Sequence, residues 1–122
     1  NVLQDAVIRL SRPGKAAADV YDETMAEMKA KGIAAMVYSH PLGPQGHGLG
    51  ASIDFRSARR DAGTSPKKLR AGSYLALELN TATEVPEWGG QKVTMMAEDP
   101  VWLSDEGWRF FRPRQEALYL IR

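Results

Sequence analysis

The sequence contains no cysteine and only two histidines among its 122 residues. The absence of cysteine excludes disulfide bonds, thiolate metal sites and cysteine nucleophiles, so any bound metal ion must rely on histidine, aspartate or glutamate. The formal net charge is only +1, which provides no global field for attracting nucleic acid, and no apolar run is long enough to cross a bilayer. We therefore expect no membrane partner, and we expect a cytoplasmic protein.

The composition predicts a single folded domain over residues 1–122. Hydrophobic residues make up 43% of the chain, which is enough to build one ordinary core at this length. The sequence starts at Asn1 rather than at a methionine, and a helical pattern of apolar residues begins at once. We therefore expect the chain to be a fragment of something longer.

Apolar periodicity predicts two helices followed by a series of strands. The helices are expected over 2–11 and 15–31, separated by a turn at Pro13-Gly14. Short connections between the later strands favour antiparallel pairing. The fold class is therefore α+β, with two N-terminal helices packed on a mainly antiparallel sheet. Strands are predicted over 33–39, 51–55, 73–85, 92–104, 108–111 and 116–121.

Both histidines and four of the eleven glycines lie in the segment 38–50. Glycines on either side of His47 permit close approach of other groups, which indicates that this loop presents an imidazole to a binding partner. A phosphate-binding loop is disfavoured because no helical pattern follows the glycines.

Two glutamates interrupt apolar strands. The two-residue period of a strand places Leu75, Leu77 and Leu79 on one face and Glu78 on the other, and Glu98 lies in a similar run. Burying a carboxylate is costly unless it is paired, hydrogen-bonded or bound to metal. Two such glutamates and one histidine suit a divalent transition metal, and pairing with arginine is the alternative explanation.

Two other kinds of site fit the sequence less well. A serine hydrolase built on Ser39, a histidine and Asp54 is disfavoured because no strand-to-helix turn surrounds the serine. Residues 56–70 contain six basic residues and one acid, and they predict an exposed loop. No aromatic residue is interleaved there to stack on bases, so we do not expect a nucleic-acid partner.

Several short motifs, taken in order, resemble the C-terminal half of the pita-bread metallopeptidases. This superfamily includes methionine aminopeptidases, prolidases, Xaa-Pro aminopeptidases and creatinase-like relatives. The motifs are the Arg12-Pro13-Gly14 turn, the loop at 46–50, the segment 69–74 that leads to Glu78, and Glu98 ahead of 101–107.

The resemblance implies a larger catalytic domain with two divalent metal ions, of manganese, cobalt, zinc or iron. It implies that His47, Glu78 and Glu98 are metal ligands, and that Glu78 also handles the proton of the attacking water. The implied reaction is amide hydrolysis near the N-terminus of a peptide or small amide substrate.

The chain departs from the family pattern at three positions. The family has two aspartates before the proline-glycine turn, and only Asp5 stands there, so we expect the fragment alone to be inactive and to bind metal weakly or not at all. The catalytic histidine expected seven residues after His47 is Asp54. Met96 stands where the family has an arginine, two residues before Glu98, so a preference for Xaa-Pro bonds is not decided.

These departures leave alternatives open. The candidate catalytic residues are Glu78, His40 and Asp54, where His40 either replaces the missing imidazole or stabilises the loop. The chain is alternatively a non-catalytic binding or scaffold module with a degenerate metal site, or a nucleic-acid binder through its basic loop. The metal, the substrate and a homodimeric state are not decided by the sequence.

Overall fold

A computed structural model of the protein describes residues 1–56, 58 and 65–121. The chain forms helices α1 (Val2–Leu10) and α2 (Ala17–Ala30) and then five strands. The strands form one antiparallel sheet in the order β2-β1-β3-β4-β5. This architecture confirms the predicted α+β class. The strands are β1 (Ala34–Pro41), β2 (Ile53–Asp54), β3 (Tyr74–Val85), β4 (Gln91–Ser104) and β5 (Gly107–Phe110).

The two helices end where the sequence predicted. Ser11 caps α1, where its hydroxyl donates a 2.7 Å hydrogen bond to the carbonyl oxygen of Val7. The second helix ends just before Gly32, which adopts a φ of 68° that other residues rarely take. An ion pair between Arg9 and Glu27 joins the helices on their exposed side.

The core lies between the helices and one face of the sheet. The leucines at alternate positions of β3, Leu75, Leu77 and Leu79, are buried on this face, as the two-residue period predicted. Val7 of α1 and Met28 of α2 belong to the same buried cluster. Met28 is therefore a packing residue, and Met25 of the same helix packs partly buried against the cluster. The opposite face of the sheet is partly exposed: Met36, Tyr74 and Met96 are exposed there, whereas Ala76 is buried.

The C-terminal segment differs from the prediction. The strand expected over 116–121 is absent, and this part of the described chain is irregular. Arg114 instead binds Asp5 of α1 at 2.6 Å, and the amide of Asn1 donates to the carbonyl oxygen of Gln115. These contacts direct the segment along α1, so its apolar residues gain no strand partner and Ile121 stays exposed.

Two further predictions concern the loop and the membrane. The predicted basic loop lies partly outside the described residues, which do not include Arg59 and Arg60, whereas Lys67 and Lys68 are described and exposed.

Among the described residues, neither helix has the length and apolarity needed to span a membrane.

Candidate metal centre

The register of the sheet brings the two strand glutamates together. Glu78 of β3 lies directly opposite Glu98 of β4 in the antiparallel pair, on the face of the sheet that points away from the buried leucines. Glu78 is half-buried and Glu98 is exposed. Like charges at directly opposed positions destabilise a sheet, so this arrangement has an energetic cost in the absence of a cation.

His40 adds an imidazole to the same place. It lies near the end of β1, opposite Ala76, and its Nε2 atom is 3.4 Å from a carboxylate oxygen of Glu78. Its Nδ1 atom is 3.2 Å from the carbonyl oxygen of Pro41, a contact that requires the proton on Nδ1. In the neutral ring, Nε2 then faces Glu78 as a second electron-pair donor, and no hydrogen bond can form between them.

Ser39 fixes the backbone that carries Glu78. Its hydroxyl donates to the carbonyl oxygen of Glu78 at 3.0 Å and accepts from the amide of Glu78 at 3.1 Å. The side chain is fully buried on the core side of β1. Ser39 therefore supports the position of Glu78, a role that no local sequence pattern signals, and its burial gives a serine nucleophile no access to substrate.

His47 lies beside the centre. Its exposed ring stacks on the ring of His40, with centroids 4.1 Å apart and planes inclined by 22°. The side chains whose ligand atoms converge are His40, Glu78 and Glu98, and His47 is not a member of this group. The structure thus brings two of the three residues that the resemblance assigned as ligands together with His40. The ligand role of His47 stays a prediction.

Asp54 occupies a different environment. It lies on β2, opposite Tyr38, and only 8% of its surface is exposed. Burial raises the pKa of the Tyr21 hydroxyl, and the charges of Asp22 and Asp54 raise this pKa further. The carboxylate of Asp54 is not part of the convergent group, so its catalytic role also stays a prediction.

The structure also shows the surroundings of two residues that bear on the departures from the family pattern. Asp5, the aspartate that precedes the proline-glycine turn, forms its ion pair with Arg114 and does not belong to the centre. Met96, which stands at the position of the family arginine, is 71% exposed on the same face of the sheet as Glu98.

The donor set fits a divalent metal ion. One imidazole nitrogen and two carboxylate oxygens all lie within 4.8 Å of one another. Transition-metal ions accept this mixture of nitrogen and oxygen ligands. The buried Ser39 and the Pro41 carbonyl hold Glu78 and His40 from behind, as outer partners of metal ligands commonly do.

Comparison with known protein families assigns the chain to one of them. The sequence profile of metallopeptidase family M24 matches residues 2–104, which is most of the chain. The chain belongs to metallopeptidase family M24. No curated protein sequence matches this M24 chain.

Solved structures share the fold of the M24 chain. Similar structures include the X-Pro aminopeptidase of Thermotoga maritima MSB8, with a TM-score of 0.70 over 98% of this chain at 15% identity. The methionine aminopeptidase of Rickettsia prowazekii gives a TM-score of 0.61 over 89% of the chain at 17% identity. The M24 chain spans 30% and 48% of these two proteins.

Proposed function

We propose that this M24 chain contributes one part of a two-metal peptidase centre, with His40, Glu78 and Glu98 as its ligands. The observation that carries the proposal is the convergence of three electron-pair donors within 4.8 Å. Two opposed carboxylates repel each other, and a neutral ring with its proton on Nδ1 donates no hydrogen bond from Nε2 to the nearby Glu78 oxygen. A divalent cation held among the three donor atoms would attract each of them.

The proposed reaction is hydrolysis of an amide bond near the N-terminus of a peptide. Bound divalent ions supply Lewis-acid activation of water and of the scissile carbonyl. Glu78 is half-buried and its backbone is held by Ser39, so it is suited to accept the proton of the attacking water and return it to the leaving amine. Glu98 contributes negative charge on the exposed side of the centre, and His40 contributes a neutral nitrogen.

Three donors do not complete a two-metal centre. The chain spans less than half of the aminopeptidases that share its fold, and Asp5 is engaged by Arg114. The remaining ligands are therefore proposed to come from outside these 122 residues. It follows that the isolated chain is inactive and binds metal weakly. Cytoplasmic location stays a prediction of the sequence, and a homodimeric state stays undecided.

Titration with Co²⁺, followed by its visible absorption, tests the ligand set. We expect the chain to bind Co²⁺ weakly, in the micromolar to millimolar range, and Glu78→Gln and Glu98→Gln each to weaken binding more than about tenfold. Glu84→Gln is the matched control, because Glu84 lies on the same strand pair opposite Lys92 and should bind Co²⁺ as the wild type does.

Equal Co²⁺ affinity in the wild type and in both variants would exclude this ligand set. Peptidase assays belong to a longer protein that contains the remaining ligands. A longer protein that binds metal through Glu78 and Glu98 but hydrolyses no N-terminal peptide bond would favour the binding or scaffold alternative.

A further inference from the structure

The stacked pair of histidines has a feature that the proposed ligand set does not use. His47 is exposed and lies in a glycine-rich loop, yet its ring covers His40 at a centroid distance of 4.1 Å. An exposed side chain on a loop has many rotamers available, so a fixed stack needs a structural cause.

The loop closes on itself through two glycines. A Cβ added to Gly43 would lie 2.2 Å from the carbonyl oxygen of His47, and one added to Gly48 would lie 2.1 Å from the carbonyl oxygen of Leu42. Both approaches are possible only without a side chain. The closed loop places the backbone of His47 next to the end of β1, where His40 lies.

Loop closure and ring orientation share one acceptor. The carbonyl oxygen of Pro41 accepts a 2.7 Å hydrogen bond from the amide of Gly48 and also lies 3.2 Å from Nδ1 of His40. The contact to Pro41 restrains one edge of the His40 ring, and the stack with His47 restrains its plane. Torsion about the bond to an imidazole is otherwise broad, so these two contacts together restrict the ring to the orientation in which Nε2 faces Glu78.

We propose that His47 is a positioning residue, which holds the His40 ring in the orientation that metal binding requires and is not itself a ligand. This inference rests on the proposed function, since it names the residue that organises the same centre. A pre-oriented ring loses less conformational freedom when the metal binds, so removing the stack should weaken affinity without removing a ligand.

Substitutions at His47 separate a stacking role from a ligand role. Aromatic pairs contribute modestly beyond burial, so His47→Ala should weaken Co²⁺ binding by roughly threefold to tenfold. His47→Phe preserves the stack without a donor atom and should restore wild-type affinity. His40→Ala removes a ligand and should cost more than about a hundredfold, beyond the range of outer partners.

Two further measurements control the test. Leu49→Ala changes a fully exposed residue of the same loop and should leave affinity unchanged. The second measurement is the NMR spectrum of the metal-free protein, in which the ring protons of His40 should be shifted upfield by the His47 ring. That shift should disappear in His47→Ala and persist in His47→Phe.

The outcomes are distinct. Loss of binding in His47→Phe equal to that in His40→Ala would show that His47 is a ligand, and wild-type affinity in His47→Ala would show that the stack has no effect on binding. Either result overturns the proposal. If the wild type binds no Co²⁺, the proposed function fails. The NMR shifts of the His40 ring protons then test the positioning role by themselves, and unchanged shifts in His47→Ala would overturn it.

Discussion

The opposed pair of Glu78 and Glu98 predicts that one substitution in the candidate centre stabilises the metal-free protein. Glu98→Gln keeps the shape of the side chain and removes one of two like charges. Their carboxylate oxygens lie within 4.8 Å of each other, and at that separation Coulomb's law gives roughly 0.9 kcal/mol in bulk water. The value for bulk water is appropriate because Glu98 is exposed.

Measured cross-strand charge effects have the same size, about 0.2–1 kcal/mol. We therefore expect Glu98→Gln to raise the melting temperature of the metal-free chain by about 2–5 °C. The assay is thermal unfolding followed by circular dichroism at pH 8 in EDTA and low salt. In about 1 M NaCl the screening length falls to about 3 Å, which is shorter than the separation, so most of the gain should disappear.

Glu84→Gln is a control for which we expect the opposite change in melting temperature. Glu84 lies opposite Lys92 in the same strand pair, so its neutralisation should lower the melting temperature slightly. Addition of Co²⁺ should stabilise the wild type more than Glu98→Gln, because a ligand stabilises the state that binds it. A lower melting temperature for Glu98→Gln in EDTA, or a gain that does not respond to salt, would refute the repulsion on which the reasoning depends.

Three further substitutions test individual contacts elsewhere in the fold and in the histidine loop. Gln4→Ala removes the amide that donates to Asp99 at 2.8 Å, so the free energy of unfolding in urea should fall by about 1–3 kcal/mol. Gly48→Ala places a Cβ 2.1 Å from a backbone carbonyl oxygen, so the loop should open and the ring-proton shifts of the histidines should change. Arg9→Gln removes the hydrogen bond that lowers the pKa of Glu27. A carboxylate whose pKa is lowered by folding stabilises the fold fully at pH values above its pKa in the unfolded chain, and not at pH values below its pKa in the folded protein. The fall in melting temperature caused by Arg9→Gln should therefore be present at pH 7 and disappear in acid.

Most of the fold was predictable because its elements follow local periodicity. The alternation of Leu75, Leu77 and Leu79 identified β3 and its buried face, and the helical stripe ending near Gly32 identified α2. The strand predicted over 116–121 was wrong for a non-local reason. Its apolar pattern suits a strand, but Arg114 pairs with Asp5 and directs the segment along α1.

The candidate centre was predictable in part. An acid within an apolar strand marked Glu78 and Glu98 as unusual, and the structure places them opposite each other. The sequence allows His40 either a place in the centre or a loop-stabilising role, because nothing in it shows how far a glycine-rich loop folds back. Ser39 was considered only as a nucleophile, since its bonds to the backbone of Glu78 cross between strands 39 residues apart.

Patterns among neighbouring residues decided the helices, the strands and the unusual position of the two glutamates, because periodicity is a local property of the chain. The register between β3 and β4 decided that these glutamates face each other, and the closure of the loop decided that His40 faces Glu78 while His47 covers it. Both of these outcomes depend on contacts between residues that are distant in sequence. Only the packed tertiary structure therefore turns two glutamates and two histidines into one site.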